Sequence, residues 1–197
     1  MSNAACPTAS NSNAAILIVR QLPTVGLTAT PLNSLLPGQT TTVRATPSTS
    51  TGGTLTTSWV KNTVAFTNTG NTYLVNVENV GSYQVRIQEA FAGGLICSNQ
   101  SPVVVIDAAV SDKLFIFPSP NDGQFTVSYY NSAGGNTSRT VMVFDLKGAE
   151  VYNAKFPVAG PYTLLNINIK PAQSGIYYVV VGDAVGKKLA EGKVLVH

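Results

Sequence analysis

Few residues in this 197-residue sequence are of the types that carry acid–base, nucleophilic or metal chemistry. The single histidine is His197, and the two cysteines are Cys6 and Cys97. Because there is no second histidine, neither a Ser-His-Asp nor a Cys-His arrangement can be drawn. No histidine or cysteine stands near either cysteine at metal-ligand spacing. The sequence therefore predicts no catalytic residue, no metal ligand, no cofactor and no enzymatic activity.

Carboxylates are the remaining candidates for chemistry, and their positions favour turns. Nine acidic residues are present, and three aspartates stand beside or close to a glycine: Asp122, Asp145 and Asp183. An aspartate in this setting accepts hydrogen bonds from its own backbone and so stabilises a turn. A paired-carboxylate glycosidase site would need two carboxyl groups at a defined separation, which nothing in the sequence indicates. No phosphate-binding glycine loop and no calcium-loop spacing occurs.

The composition is that of a strand-rich protein with a lightly charged surface. Hydrophobic residues make up 44% of the chain and charged residues only 11%, against roughly 25% in an average globular protein. The net charge is +3, and the basic residues are scattered, so we expect no nucleic-acid partner. No apolar run has the length of a membrane span. The wealth of Thr, Ser and Asn is typical of extracellular β-proteins.

Residues 22–107 have the pattern of an immunoglobulin-like sandwich, with about seven short alternating strands separated by turn residues. Trp59 falls in the third strand, where such domains bury a tryptophan. Residues 79–83, NVGSY, resemble the tyrosine corner that leads into the sixth strand. Val85 stands where an antibody domain has its second cysteine. We therefore expect aliphatic packing around Trp59, with these neighbours: Val43, Tyr83, Val85 and Ile87.

The N-terminal segment suggests a repeat that has been cut. Residues 1–4 resemble a cloning remnant, which predicts a fragment of a longer protein. Cys6 and Cys97 each precede a Ser/Asn-rich stretch and an aliphatic strand, and they lie about one sandwich length apart. One hypothesis makes residues 5–20 the tail strand of a preceding repeat. The alternative is that AILIV is the first strand of the domain that follows.

After a linker predicted at residues 108–113, the alternation restarts and continues through residues 114–197 with seven more strands. Leu165, Ile167 and Ile169 alternate with polar residues, which indicates one buried and one solvated face. The segment IYYVVV is apolar on both faces and is expected at the centre of a sheet. The sequence thus predicts an all-β fold of two consecutive β-sandwich domains.

A carbohydrate-binding surface would need exposed aromatic side chains, and two tyrosines are candidates for it. Neighbouring residues on a strand point to opposite faces, so one member of each Tyr-Tyr pair can be exposed. Tyr130 and Tyr178 are the candidate glycan contacts on this argument. Single exposed tyrosines are also common without any ligand.

Four elements of the C-terminal half together resemble the C-terminal sorting domains of type IX secretion substrates in Bacteroidetes. They are FPSPNDGQFTV, VMVFDLKGAEVY, SGIYYVVV and KKLAEGKVLVH, in the order found in that family. The matching positions are Pro118, Pro120, Gly123, Gly148, Gly175, Tyr177, Lys193 and Val194. The departure is His197, where Lys or Arg is more frequent in the family.

This resemblance implies a β-sandwich that serves as an export address. It implies that a translocon passes the protein from the periplasm across the outer membrane, and that a surface peptidase is a further partner. We expect the motif residues to be mainly structural: Gly123 and Gly148 for turns with positive φ, Gly175 to open a strand, and Tyr177 for packing. Recognition is expected to use an exposed strand edge, including the terminal strand.

The upstream half resembles the immunoglobulin-like repeats of large Bacteroidetes surface proteins, through the phrase GSYQVRI…CSNQSPVVVI. In those repeats a late cysteine often pairs with one just before the second strand. Residues 35–38 of this chain, LLPG, offer no cysteine there. The resemblance therefore implies that Cys97 has no disulfide partner within its domain.

These observations predict a non-enzymatic C-terminal region of a secreted or cell-surface protein. Its last domain directs export, and its immunoglobulin-like domain is a spacer or adhesion module. One alternative is the carbohydrate-binding accessory region of a secreted glycoside hydrolase. The other is a stacking repeat of a surface filament, with neighbouring repeats as partners.

Overall fold

The computed structural model describes Leu17 and residues 19–50 and 52–197. The fold is all-β, as predicted. The predicted cloning remnant, Cys6 and most of the predicted tail strand at residues 5–20 lie outside the described residues. Leu17 and Val19, which are described, are exposed and belong to no strand.

The N-terminal unit contains nine strands in two sheets. One sheet has the order β1-β3-β6 and the other β2-β9-β7-β4-β5, with β8 also paired to β7. Only the pairing of β2 with β9 is parallel. The strands are β1 (Thr24–Thr30), β2 (Ser34–Leu35), β3 (Thr40–Ser48), β4 (Thr54–Lys61), β5 (Val64–Phe66), β6 (Thr72–Asn76), β7 (Gly81–Ala90), β8 (Ile96–Gln100) and β9 (Val104–Ala108).

Trp59 lies at the centre of this unit and is fully buried, as the sequence predicts. Its indole N–H donates to the carbonyl of Gly70 at 3.0 Å, so its one polar group is satisfied. The rings of Phe66 and Tyr73 each lie 6.2 Å from the indole. The four predicted neighbours are all fully buried in the same cluster: Val43, Tyr83, Val85 and Ile87.

The tyrosine corner is also confirmed. A short 3₁₀ helix (Val77–Asn79) precedes β7 and is capped by the side chain of Asn76. The Tyr83 hydroxyl donates to the carbonyl of Asn79. This bond fixes the path of the chain as it enters β7 from the opposite sheet.

The last strand of the N-terminal unit is divided in two, which the sequence analysis missed. β7 pairs with β9 through Gly81–Tyr83 and with β8 through Arg86–Ala90. Pro102 lies between β8 and β9 and has no N–H to contribute to a ladder. The adjacent Ser101 side chain instead accepts from the N–H of Val85 at 3.0 Å. Strand β9 therefore begins only at Val104.

The C-terminal unit contains seven strands, as predicted, in two sheets. One sheet has the order β10-β11-β14 and the other β13-β12-β15-β16, and every pairing is antiparallel. The apolar strand β15 lies between β12 and β16, away from the edges. The strands are β10 (Phe115–Phe117), β11 (Gln124–Ser128), β12 (Thr137–Phe144), β13 (Glu150–Val158), β14 (Leu165–Asn168), β15 (Gly175–Gly182) and β16 (Lys188–Val196).

A cluster of aromatic side chains joins the two units. Tyr162, which lies just before β14, packs in the core cluster of the N-terminal unit. Its hydroxyl donates to the carbonyl of Ala109 at 2.8 Å. The rings of Tyr130 and Phe115 lie 5.4 and 5.8 Å from the Tyr162 ring. Ala109 itself donates to the carbonyl of Leu35, so the stretch predicted as a linker is hydrogen-bonded to the N-terminal unit.

Candidate functional site

The four motif elements meet at one end of the C-terminal unit. In antiparallel sheets, alternate connections lie at the same end. The segments at this end, which we call the distal pole, are residues 118–123, 145–149, 169–174 and 195–197. The opposite end, the proximal pole, carries Tyr130 and Tyr162 and therefore contacts the N-terminal unit. The motif residues thus lie away from the preceding domain.

Asn121 organises the first motif element. It is almost fully buried, and its side-chain amide donates to the carbonyl of Pro118 at 3.0 Å. Its side-chain oxygen accepts from the N–H of Gly123 at 2.7 Å. Gly123 has φ +93, and a Cβ there would lie 3.1 Å from the Lys170 side chain. The positive φ predicted for Gly123 is confirmed, and the close approach gives a second reason for glycine.

The same loop holds the terminal strand in place. Asn121 donates its backbone N–H to the carbonyl of Leu195 at 3.0 Å and accepts from the N–H of His197 at 2.9 Å. The N–H of Leu195 donates to the hydroxyl of Ser119 at 3.2 Å. Asn121 and Val196 thereby form a parallel bridge. The first and last motif elements are one structural unit.

The second motif element is a tight turn closed by Asp145. Its carboxylate accepts from the N–H groups of Lys147 and Ala149, both at 2.8 Å. Gly148 has φ +84, which confirms its predicted role in a turn. A turn of the same geometry lies at the proximal pole over residues 183–187, where Asp183 makes the equivalent bonds and Gly186 has φ +87. The predicted turn role of these aspartates is confirmed.

The third and fourth elements supply buried packing. Gly175 begins β15, as predicted, and Tyr177 is buried in the core of the C-terminal unit. The Tyr177 hydroxyl donates to the carbonyl of Gln173 at 2.9 Å, which repeats the four-residue geometry of Tyr83 and Asn79. Val194 is also buried in this core. The side chains of Tyr177 and Val194 are therefore part of the hydrophobic core, whereas Gly175 is only half-buried.

Lys193 and Tyr178 face solvent on the other side of the same sheet. They are cross-strand neighbours on β16 and β15, and the Lys193 ammonium lies 5.2 Å from the Tyr178 ring centre. Tyr178 is therefore accessible, whereas Tyr130 is half-buried against Tyr162. Pro118 and Pro120 are exposed in the loop before Asn121.

A groove of about 410 Å³ lies at the distal pole. It is bounded by the Asp145 turn, by Val151 of β13 and by the segment that leads into β15. Three of its side chains are large, apolar and exposed: Leu146, Val151 and Ile176. The second and third motif elements form its walls.

The charges of the distal pole are unevenly compensated. Asp122 pairs with Lys170, and the hydrogen bond from that ammonium is the main reason that the pKa of Asp122 is lowered from its usual value. Asp145 is engaged by its own turn. Lys147 and Lys193 make no ion pair with any described residue. Among the described residues no cluster of His, Cys, Asp and Glu could hold a metal ion.

The comparison with known families decides the assignment of this half of the chain. Residues 115–196 match the family model of the secretion system C-terminal sorting domain. This stretch is therefore similar to secretion sorting domains. The resemblance to type IX sorting domains is confirmed, and the sorting-domain family is non-catalytic. Among curated proteins, none matches this sequence.

Several solved structures resemble the chain at low identity. Dimeric latent PorU from Porphyromonas gingivalis shares 13% identity with a TM-score of 0.36, over 89% of this chain and 20% of that chain. The FN1–FN3 domains of chicken CNTN1 share 12% with a TM-score of 0.35, over 82% and 61%. The fibronectin(III)-like modules of Clostridium thermocellum CbhA share 15% with a TM-score of 0.31, over 88% and 93%. This chain therefore spans less than two thirds of the first two.

Two residues of structural importance were missed in the sequence. Asn121 was assigned to a turn, but its buried link to β16 has no local signal, since its partners are more than 70 positions away. Glu89 is a fully buried acid on β7 that accepts from the N–H groups of Ser50 and Gly53. The alternation along β7 places Glu89 on the buried face, which was the available clue.

Residues 17, 19–50 and 52–197 contain no helix that could span a lipid bilayer.

Proposed function

We propose that this chain is the non-enzymatic C-terminal region of a secreted or cell-surface protein. The sorting domain directs export across the outer membrane by the type IX secretion system, and the N-terminal immunoglobulin-like unit is a spacer or adhesion module. The observation that supports this best is the family match at residues 115–196. The gathering of all four motif elements at the pole away from the preceding domain adds a structural argument.

The partners of this function are the export translocon and a surface peptidase. The outer edge of β16 before Leu195 is the candidate for strand addition, because the end of that edge is already bonded to Ser119 and Asn121. β16 ends its sheet, and Leu195 directs both its N–H and its carbonyl away from β15. Because backbone groups alternate along an antiparallel strand, Glu191 and Lys193 direct theirs the same way. Such an edge can accept a strand from a partner protein.

An export assay tests the proposal. The 197-residue chain is fused behind a periplasmic reporter in a bacterium that has type IX machinery, and the reporter is measured in the periplasm, on the surface and in the medium. We expect surface or medium reporter, as for a known sorting domain run in parallel. Retention of the fusion in the periplasm while the known domain is exported would contradict the proposal.

An adhesion role for the N-terminal unit is supported by a polar groove of about 540 Å³ on the outer face of β4, β7 and β8. Its side chains are mostly hydroxyls and amides, with the guanidinium of Arg86, a set that suits hydrogen bonding to a hydroxylated or acidic surface glycan. Binding of the chain to a glycan array, lost on Arg86→Ala, would support this role. An array without binding would leave the spacer role.

A further inference from the structure

The distal-pole groove offers an apolar surface that the fold itself does not need. Leu146, Val151 and Ile176 line it, with exposed fractions of 65%, 45% and 41%. Neighbouring positions on the same strands, such as Tyr177, are buried in the core. Val151 and Ile176 are thus outward-facing residues of strands whose inward-facing residues build the core, and Leu146 extends this surface from the adjacent turn.

The turn at residues 183–187, which we call the twin turn, shows which residues of the Asp145 turn are needed for its geometry. Both turns need the carboxylate of their aspartate and the positive φ of their glycine. In the turn at residues 183–187, Ala184 and Val185 occupy the positions that correspond to Leu146 and Lys147. Since the same geometry forms with such different residues, Leu146 and Lys147 are not required for the turn. Their side chains are free to contact a partner.

The charged side chains of the groove favour a partner with a negative charge. The one carboxylate in its lining, Asp145, accepts two backbone N–H groups. The ammonium of Lys147 has no carboxylate partner among the described residues. A groove that combines exposed apolar side chains with an uncompensated cation complements a segment that carries both apolar side chains and a carboxylate.

We propose that this groove is the specificity surface of the sorting domain, and that it binds a protein segment of the export machinery with apolar side chains and at least one acidic residue. The cross-strand pair of Ile176 and Leu195 continues the apolar surface onto the terminal strand. The Asn121 loop holds that strand in place. Groove, terminal strand and loop then form one continuous recognition face. This inference rests on the proposed export function.

Matched charge insertions at the two poles test the inference in the export assay with the full chain. Leu146→Glu and Ile176→Glu are expected to lower export at least tenfold, because a carboxylate enters the apolar groove. Val185→Glu makes a similar change in the turn at residues 183–187, at a position that is more exposed than Leu146 or Ile176, and we expect export within twofold of the parent chain. Lys147→Glu is expected to lower export, whereas Lys147→Arg retains it.

The outcomes separate the two proposals. If the parent chain is not exported, the proposed function fails. If the parent is exported and Leu146→Glu and Ile176→Glu are exported equally well, the groove is not the specificity surface. An equal loss in Val185→Glu overturns the groove as well, since the effect would not depend on the pole. Thermal unfolding of the purified variants tests whether loss of folding is the cause. We expect the variants to stay folded, because all altered positions are exposed.

Discussion

Asn121 and Val196 form a parallel β-bridge that joins the loop after β10 to the end of the terminal strand. The buried side chain of Asn121 holds the loop, while its backbone holds the strand through Leu195 and His197. The first and last motif elements, which are far apart in the sequence, are thereby held together in one arrangement. The loop and the terminal strand depend on each other, so altering one should disturb the other.

Asn121→Ala tests this dependence. The substitution leaves the buried Gly123 N–H and the partly buried Pro118 carbonyl without their side-chain partner, and a buried polar group left unpaired costs about 1–3 kcal/mol. We expect a lower free energy of unfolding in a denaturant titration, together with faster amide exchange at Leu195 and His197. Asn153→Ala is the control, since this exposed side chain bonds only to the Glu150 carboxylate and should change stability by less than about 0.5 kcal/mol.

Three glycine substitutions distinguish backbone strain from crowding. Gly148→Ala and Gly186→Ala place a Cβ in open space at φ +84 and +87. We expect each to lose about 1 kcal/mol, and the two losses to be equal within error, because the turns have the same geometry. Gly123→Ala adds a contact of 3.1 Å with Lys170 and should cost more. Equal losses at all three positions in thermal unfolding would show that crowding at Gly123 is relieved.

The buried half of each strand could be predicted from sequence because it follows a local rule. Alternation identifies Trp59, Val85 and Ile87 as core residues, and the residue types alone predict the positive φ of Gly148. The candidate site was harder, since it depends on pairings between distant positions such as Ile176 with Leu195. The bonds that Asp145 makes to its own turn follow from a local pattern, whereas no pattern in the linear sequence predicts which residue of β16 pairs with Ile176.

The pH dependence of stability should report on the tyrosine corner. Burial, together with the nearby Tyr73, raises the pKa of Tyr83 above its ordinary value of 10.0. The folded protein then holds this proton more tightly than the unfolded chain does. The stabilisation is therefore complete below pH 10 and is lost as the pH rises above 10. In urea titrations above pH 10 we expect the parent chain to lose stability more steeply than Tyr83→Phe.

At neutral pH the parent chain should be more stable than Tyr83→Phe. Tyr83→Phe loses the hydrogen bond to Asn79 and should be less stable than the parent by about 1 kcal/mol. The difference between the two proteins then narrows as the pH rises. A difference that stays constant from pH 7 to pH 11 would contradict the protonation argument.

Gly192 and Ile116 should show coupled effects on stability. A Cβ at Gly192 would lie 2.8 Å from the end of the Ile116 side chain. Gly192→Ala is therefore expected to destabilise, and Ile116→Val, which removes that terminal methyl group, should recover part of the loss. A double-mutant cycle measured by denaturant unfolding should give a coupling of about 0.5–2 kcal/mol. Additive effects would mean that Ile116 moves aside without cost.

Tyr162 should determine whether the two units unfold together. Its ring packs between Tyr130 and Phe115, and its hydroxyl reaches Ala109. Calorimetry of the parent chain should therefore show a single transition. Tyr162→Phe keeps the ring and should lower stability by about 1 kcal/mol, whereas Tyr162→Ala removes the shared packing and should split the transition in two.

Tyr178→Ala is the control for this experiment, because its ring faces solvent on the outer side of β15 and contacts Lys193 rather than the N-terminal unit. It should keep a single transition. Two transitions already present in the parent chain would show that the aromatic cluster couples the units too weakly to unfold them as one. A coupled pair would present the distal pole at a fixed distance from the preceding domain, since the cluster at the proximal pole would then act as a rigid joint.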